Sequence, residues 1–421
     1  MAHLLVALAF AVAVSAQQIG SDTAVNPTLI TQQCTMSGGC TNHNTMVVLD
    51  ALSHPITDIQ TGASCMTSSG GFDPTICPDI NACGANCAIQ GVDYSQHGVT
   101  TSGHSLILRQ YLRTGNTTTA VSPRVYLLQS NGQKYKLLKL LNQEFTFTVN
   151  VSNLPCGMNG ALYLSAMDAT GGRSSLNPAG ATYGTGYCDA QCPKSAWING
   201  EANERNQGAC CSEMDIWEAN SAATQMTPHA CNVTGLYKCS GTDCGFNGVC
   251  DENGCGYNPY AYGAKNFYGP SRANTVDTTK PLTVVTQFWT DDNTTTGTLS
   301  EIRRIYVQNN VIIQNALVYY GPGEQANSIT PSFCNASAPG FEARGGLAQM
   351  GGALYEGMVL VMSIWNDPGA YMNWLDSGNA GPCNSTQGNP ALIEAQDPGT
   401  SVTFSAIKIG DIGSTVKGFV V

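Results

Sequence analysis

Eighteen cysteines lie between Cys34 and Cys383, an even number. They follow a leader: Leu4 to Val14 is an unbroken apolar and small-residue run, and Val14-Ser15-Ala16 is a small-residue cleavage site that leaves Gln17 as the new start. This predicts a secretory signal over residues 1–16, although only His3, and no Lys or Arg, precedes the apolar run. No later stretch approaches the roughly eighteen apolar residues of a membrane span. A secreted chain rich in cysteine folds as a disulfide framework, so nine bridges are expected. A thiolate metal site at Cys188, Cys192, Cys210 and Cys211 is the weaker reading, because such sites suit reducing compartments. Six Asn-x-Ser/Thr sequons, at Asn116, Asn150, Asn232, Asn293, Asn335 and Asn384, fit secretion.

What the bridges hold together reads as β-structure. Phe145 to Val151 alternates apolar and polar residues, the pattern of a half-buried strand. Further strands are predicted over Arg124–Leu128, Ala161–Met167, Leu282–Trp289, Arg303–Val307, Met358–Trp365 and Val402–Ile409, separated by turns rich in Gly, Asn and Pro. Met358 to Met362 is apolar throughout and reads as buried on both faces. With 46 glycines, only 11% charged residues and few helical patterns, the fold class is all-β, a large β-sandwich. No internal repeat or Pro/Ser/Thr-rich linker interrupts residues 17–421, so one domain without a separate carbohydrate-binding module is expected. Cys231 to Cys255 packs five cysteines among Gly, Asn and Asp, the texture of a stapled loop lobe. The acids between Asp243 and Asp251 do not have the spacing of a calcium loop. A net charge of −11 argues against nucleic acid and anionic membranes as partners and suits a neutral one.

The most informative segment is Cys210-Cys211-Ser212-Glu213-Met214-Asp215-Ile216-Trp217-Glu218-Ala219-Asn220. Met214 and Ile216 alternate with Glu213 and Asp215, so on a strand the two acids share a face. Glu218 has the opposite parity. Either it is unrelated, or a β-bulge near Ile216–Trp217 re-aims it. Taken alone, such a triplet of acids is more often a solvated strand edge. If all three share a face, they provide the paired carboxyls of glycoside cleavage, where one group protonates the leaving oxygen and the other attacks the anomeric carbon or activates water. Carboxyl separations of about 5–5.5 Å give retention and larger ones inversion. Two acids on one short strand leave no room for an intervening water and favour retention. Asp215, coupled to Glu213, is expected to keep it ionised at acidic pH while Glu218 stays protonated.

Cys210 to Asn220 resembles the signature of glycoside hydrolase family 7, the fungal-type cellulases. Supporting stretches are Leu154–Tyr163, Tyr183–Pro193, Thr227-Pro228-His229, Phe267–Pro270 and Met372–Ser377, so the resemblance spans nearly all of the mature chain. It implies a jelly-roll (concanavalin-like) β-sandwich with long disulfide-stapled loops forming a cleft. It also implies a retaining mechanism with Glu213 as nucleophile, Asp215 as its partner and Glu218 as acid/base. Substrate contacts carried over are Trp365 and Trp374 as platforms on either side of the cut, and His229 beside the acid/base. Tyr163, Tyr187, Asp189, Gln191, Asn159 and Arg124 would be glycone-side polar contacts. Trp197 and Trp289 stay as core or rim. The implied bridges are Cys34–Cys40, Cys65–Cys87, Cys77–Cys83, Cys156–Cys383, Cys188–Cys211, Cys192–Cys210, Cys231–Cys250, Cys239–Cys244 and Cys255–Cys334.

Departures from the pattern refine the expected activity. Ala51 to Ile59 lacks the tryptophans that many relatives carry at the far glycone end. The stretch from Gly200 to Cys210 is short where tunnel-forming relatives carry a longer loop. Six residues separate Asp376 from Cys383 with no basic residue among them, and Ala261 stands where processive members place an arginine. Missing covers imply an open cleft and an endo-acting β-1,4-glucanase, on cellulose or soluble β-glucans, working as a secreted monomer with no metal or organic cofactor. The other readings are a processive cellobiohydrolase, a non-catalytic glucan-binding protein on the same sandwich, and a hydrolase of other β-glucans or xylan.

Overall fold

A computed structural model describes residues 18–416; the predicted leader lies outside them. Twelve strands form the main path. They are β1 (Thr28–Thr35), β2 (Gly39–Leu49), β3 (Arg124–Leu128), β4 (Gln143–Asn150), β5 (Met158–Ser165), β6 (Glu213–Ala219), β7 (Thr224–His229), β8 (Leu282–Thr290), β9 (Leu299–Gln308), β10 (Val311–Gln314), β11 (Met358–Asn366) and β12 (Ser401–Asp411). Their hydrogen-bonded order is β7-β6-β5-β11-β3-β2-β1-β12-β4-β8-β9-β10. Neighbours on this path are antiparallel except β1 and β12. The path folds over on itself, giving the expected jelly-roll sandwich. Trp217 on β6 meets Phe147 on β4 edge to face at 6.0 Å, which closes the core between two layers, a cleft sheet that contains β6 and a back sheet that contains β4, β8 and β9.

Each predicted strand forms. Arg124–Leu128 coincides with β3, whereas β9 starts at Leu299, ahead of the predicted Arg303, and β5 runs from Met158 to Ser165 where Ala161–Met167 was expected. The expected half-burial of Phe145–Val151 holds at Thr148 and Asn150 but not at Thr146. The Thr146 hydroxyl is 2.6 Å from that of Thr415, which covers it. β11 is buried on both faces as its apolar run requires. Met358, Leu360, Met362 and Ile364 enter the main core, while Val359 and Val361 enter a second cluster under the loops. Ser363 and Trp365 continue that second face and open into the cleft.

All nine implied disulfides are present, and no cysteine is free. Around Cys231–Cys255 the bridges substitute for a core: Cys192, Cys210, Cys231, Cys239 and Cys250 pack with Ala190 into a small buried cluster. Cys188–Cys211 and Cys192–Cys210 tie the loop carrying Tyr187, Asp189 and Gln191 to the start of β6. Backbone bonds add to this tie, with Cys211 N–H donating to the Asp189 carbonyl at 3.0 Å.

Candidate active site

The bulge that parity required is present. Asp215 pairs with Thr227 on β7, but Glu218 pairs with Gln225, so three steps along β6 match two along β7. The pairing with β5 slips at the same place, between Leu164↔Met214 and Leu162↔Trp217. Consequently two consecutive residues, Ile216 and Trp217, both enter the core. Glu218 then returns to the face of Glu213 and Asp215. All three acids line one cleft of about 880 Å³.

Strand parity brings the remaining side chains to the same floor. Asn159 and Tyr163 lie on alternate positions of β5, and His229 stands opposite Glu213 across β7. Asn159 Oδ1 accepts from Ala219 N–H at 3.1 Å, which leaves its amide to donate to Glu218 Oε1 at 2.8 Å. His229 Nε2 is 3.0 Å from Asp215 Oδ2, and Nδ1 is 2.9 Å from the Asp251 carbonyl oxygen. Its direct contact is therefore Asp215, the acid between the two glutamates in sequence.

The electrostatics follow from burial and crowding. Burial is the largest cause pushing Glu218 up to about 8, with the Asp215 charge next and the Asn159 bond opposing. Burial also raises Glu213 well above the usual carboxylate range, followed by the charges of Asp215 and Asp189; only the Ala190 N–H, 3.2 Å from Oε2, stabilises its ionised form. This corrects the expectation that Asp215 keeps Glu213 ionised at acidic pH. Asp215 is committed to His229 and presents Glu213 with a like charge. Burial opposes the charged form of His229, but the bond and charge of Asp215 outweigh it and raise the imidazole to about 9. Glu213 and Glu218 thus share one crowded cluster beside an imidazolium, and each makes ionisation of the other harder.

A polar relay lines the cleft. The Tyr163 and Tyr187 hydroxyls are 2.9 Å apart, and Tyr187 donates to Asp189 Oδ2 at 2.7 Å. Gln191 contributes its backbone N–H to Asp189 Oδ1 at 2.9 Å. The Arg124 guanidinium lies 3.5 Å from the Tyr187 ring centroid and pairs with Asp50 at 2.8 Å. Trp365 and Trp374 form a stacked pair with centroids 6.1 Å apart and planes at 30°, a single aromatic corner where two separated platforms were expected. Trp197 is buried, and Trp289 sits under Arg303, as the core-or-rim reading has it.

Asp50, Gln225, Asn253 and Ser363 also line the cleft and were not singled out from the sequence. Gln225 had a signal: it lies opposite Glu218 once the bulge is counted. Ser363 shares the parity of Trp365. Asp50 and Asn253 sit in loops, where parity says nothing.

A family model described as Glycosyl hydrolase family 7 matches residues 19–416. A probable endo-β-1,4-glucanase, celB, from Aspergillus clavatus is 60% identical over 410 residues, covering 97% of this chain and 96% of that protein. The native Humicola insolens endocellulase EGI superposes with a TM-score of 0.90 at 45% identity, covering 95% of this chain and all of that one. A cellobiohydrolase from Daphnia pulex superposes with a TM-score of 0.89 at a lower identity, 38%, over 95% of this chain and all of that one.

Proposed function

Because the chain belongs to glycosyl hydrolase family 7, we propose that Glu213, Asp215 and Glu218 carry out a retaining double displacement at a β-1,4-glucosidic bond. The chain is an endo-β-1,4-glucanase. The observation that carries the residue assignment is the bulge at Ile216–Trp217, which puts Glu218 on the face of Glu213.

In the first step, the Glu213 carboxylate attacks the anomeric carbon as the bond to the leaving oxygen breaks. Glu218, kept protonated by burial, gives its proton to that oxygen. The sugar is then held as an ester of Glu213. In the second step, Glu218, now a carboxylate, takes a proton from water, and the resulting hydroxide equivalent displaces Glu213. Asn159 holds Glu218 through both steps, its amide favouring the anionic form. His229 balances the charge of Asp215, so Glu213 can ionise beside it. Trp365 and Trp374 stack on the glucan as one aromatic corner, and Tyr163, Tyr187, Asp189, Gln191 and Arg124 contact it along the cleft. The substrates are cellulose and soluble β-glucans, bound along an open cleft by one secreted monomer whose residues 17–421 are a single catalytic domain.

The test is activity on carboxymethylcellulose for wild type, Glu213→Gln and Glu218→Gln. Wild type should lower viscosity early in hydrolysis, and both variants should lose hydrolysis. Hydrolysis unchanged in the variants would remove these acids from the mechanism. A viscosity that barely falls while reducing ends accumulate would contradict mid-chain cutting.

A further inference from the structure

Arg304 is buried on β9, only 3% exposed, and makes no ion pair among the described residues. Burial pushes its guanidinium below its ordinary range, with no neighbouring carboxylate to offset the loss of water. An arginine kept in a sandwich core without an acid is costly, and such a residue is retained where its donors are needed. Its parity is that of Ile302 and Tyr306, which both face the core. Across the strand pair it meets Thr286, itself fully buried on the core face of β8, and its Nε donates to the Thr286 hydroxyl at 3.1 Å. The hydroxyl fixes the plane of the guanidinium. The fork then points across the core to β6, where Nη2 donates to the carbonyl oxygen of Ile216.

Ile216 lies in the interval where the register of β6 slips against both neighbours. A bulge is a local interruption of the ladder, and the re-aimed side chain is only as well placed as the interruption is fixed. We propose that Arg304 is a positioning residue that reaches from the back sheet to pin the bulge and so holds Glu218, two residues beyond Ile216, over the scissile oxygen. Trp217, the other bulge residue, packs close by, its ring centroid 5.8 Å from the guanidinium carbon. Hydrogen bonds therefore run from Thr286 through Arg304 to Ile216, and the backbone of β6 carries the link on to Glu218 in the cleft.

This inference rests on Glu218 being the acid/base, and leaving-group chemistry tests it. Proton donation matters for a poor leaving group and little for 2,4-dinitrophenolate, so kcat/KM on the two substrate types separates a misplaced acid from a damaged strand. Arg304→Met should lower kcat/KM on cellotetraose by about tenfold to a hundredfold, the cost of a misplacement on the scale of 1 Å. It should leave kcat/KM on 2,4-dinitrophenyl β-cellobioside within about twofold of wild type, since that reaction does not depend on the acid. Arg304→Lys keeps the charge but not the fork. It should show a smaller loss with the same selectivity, and it serves as the test should the Met variant fail to fold. Equal losses on both substrates, or no loss on either, would overturn the proposal. Glu218→Gln is run in parallel. If it lacks the leaving-group selectivity, the acid/base reading itself fails; if it has it and the Arg304 variants do not, only the pinning role fails.

Discussion

Two buried glutamates in this sandwich are treated in opposite ways. Glu144, on β4 in the back sheet, accepts from Gln287 Nε2 at 2.9 Å, from the Gly413 and Thr415 N–H groups at 2.8 Å each, and from the Thr415 hydroxyl at 2.6 Å. Glu213, on β6 in the cleft sheet, has one backbone donor at 3.2 Å and three acidic neighbours, Asp215, Asp189 and Glu218, that raise its pKa. Both side chains are about equally hidden, at 1% and 5% exposure. The difference lies in what the protein supplies in place of water. Around Glu144 it supplies a full shell of donors, which binds the C-terminal turn to the sheet. Around Glu213 and Glu218 it supplies one donor each, the Ala190 N–H and the Asn159 amide, so those carboxyls hold and release protons in a range useful for catalysis.

The largest effect separating the two is on chemistry. Glu213→Gln should lower turnover by at least about 10³-fold, the scale expected when the attacking group is removed. Glu144→Gln should leave kcat and KM near wild type and instead cost on the order of 2–3 kcal/mol of stability, because donors arranged for a carboxylate lose their charged acceptor. Urea unfolding with parallel assays reads both. Activity lost and stability kept in the Glu144 variant would break the contrast.

Next in size is a stability change of the opposite sign. The folded pKa of Glu218 is raised from 4.5 to about 8, so its proton is bound more tightly in the folded state. Its stabilising share is complete below pH 4.5 and is lost as pH rises through 8. Glu218→Gln removes that loss. The variant should match wild type near pH 4 and exceed it at pH 8 by on the order of a few kcal/mol. A variant less stable at pH 8 would show that Glu218 is stabilised there as an anion.

The same group sets the alkaline limb of activity. kcat/KM on a poor-leaving-group substrate should fall above about pH 8 as Glu218 loses its proton. The acid limb should stand above the ordinary carboxylate range, because burial and the Asp215 and Asp189 charges raise Glu213. A rate still climbing beyond pH 8 would contradict these roles. The smallest effect is expected at the Tyr163–Tyr187–Asp189 relay. Tyr187→Phe deletes the 2.7 Å bond to Asp189 but keeps the ring under Arg124, so KM on cellotetraose should rise by roughly twofold to tenfold, the scale of one hydrogen bond.

How far the sequence carried depends on where each residue sits. Strand residues were legible because parity is a local rule. Met214 and Ile216 assign the face of Glu213 and Asp215, while the opposite parity of Glu218 leaves two readings, an unrelated acid or a bulge near Ile216–Trp217, and the register shift decides for the bulge. The nine bridges were not legible from spacing, since pairing is set by the tertiary path; they came from the family resemblance and agree with the structure. The protonation of Glu213 is not legible in the sequence, because it depends on which partner Asp215 takes, and His229 is supplied by a different strand. Arg304 left a trace that went unread: it interrupts the apolar parity of Ile302 and Tyr306, as Thr286 interrupts that of Val284 and Phe288. Two polar residues at core positions on adjacent strands are a signal of a buried polar contact.

The central claim is that Glu213 and Glu218 act on one bond by double displacement. Proton NMR of the anomeric region during the first minutes of cellotetraose hydrolysis tests it directly. The β-anomer of the new reducing end should appear first, with the α-anomer growing only at the rate of mutarotation. Initial release of the α-anomer would mean inversion, and Glu213 could not then be the nucleophile.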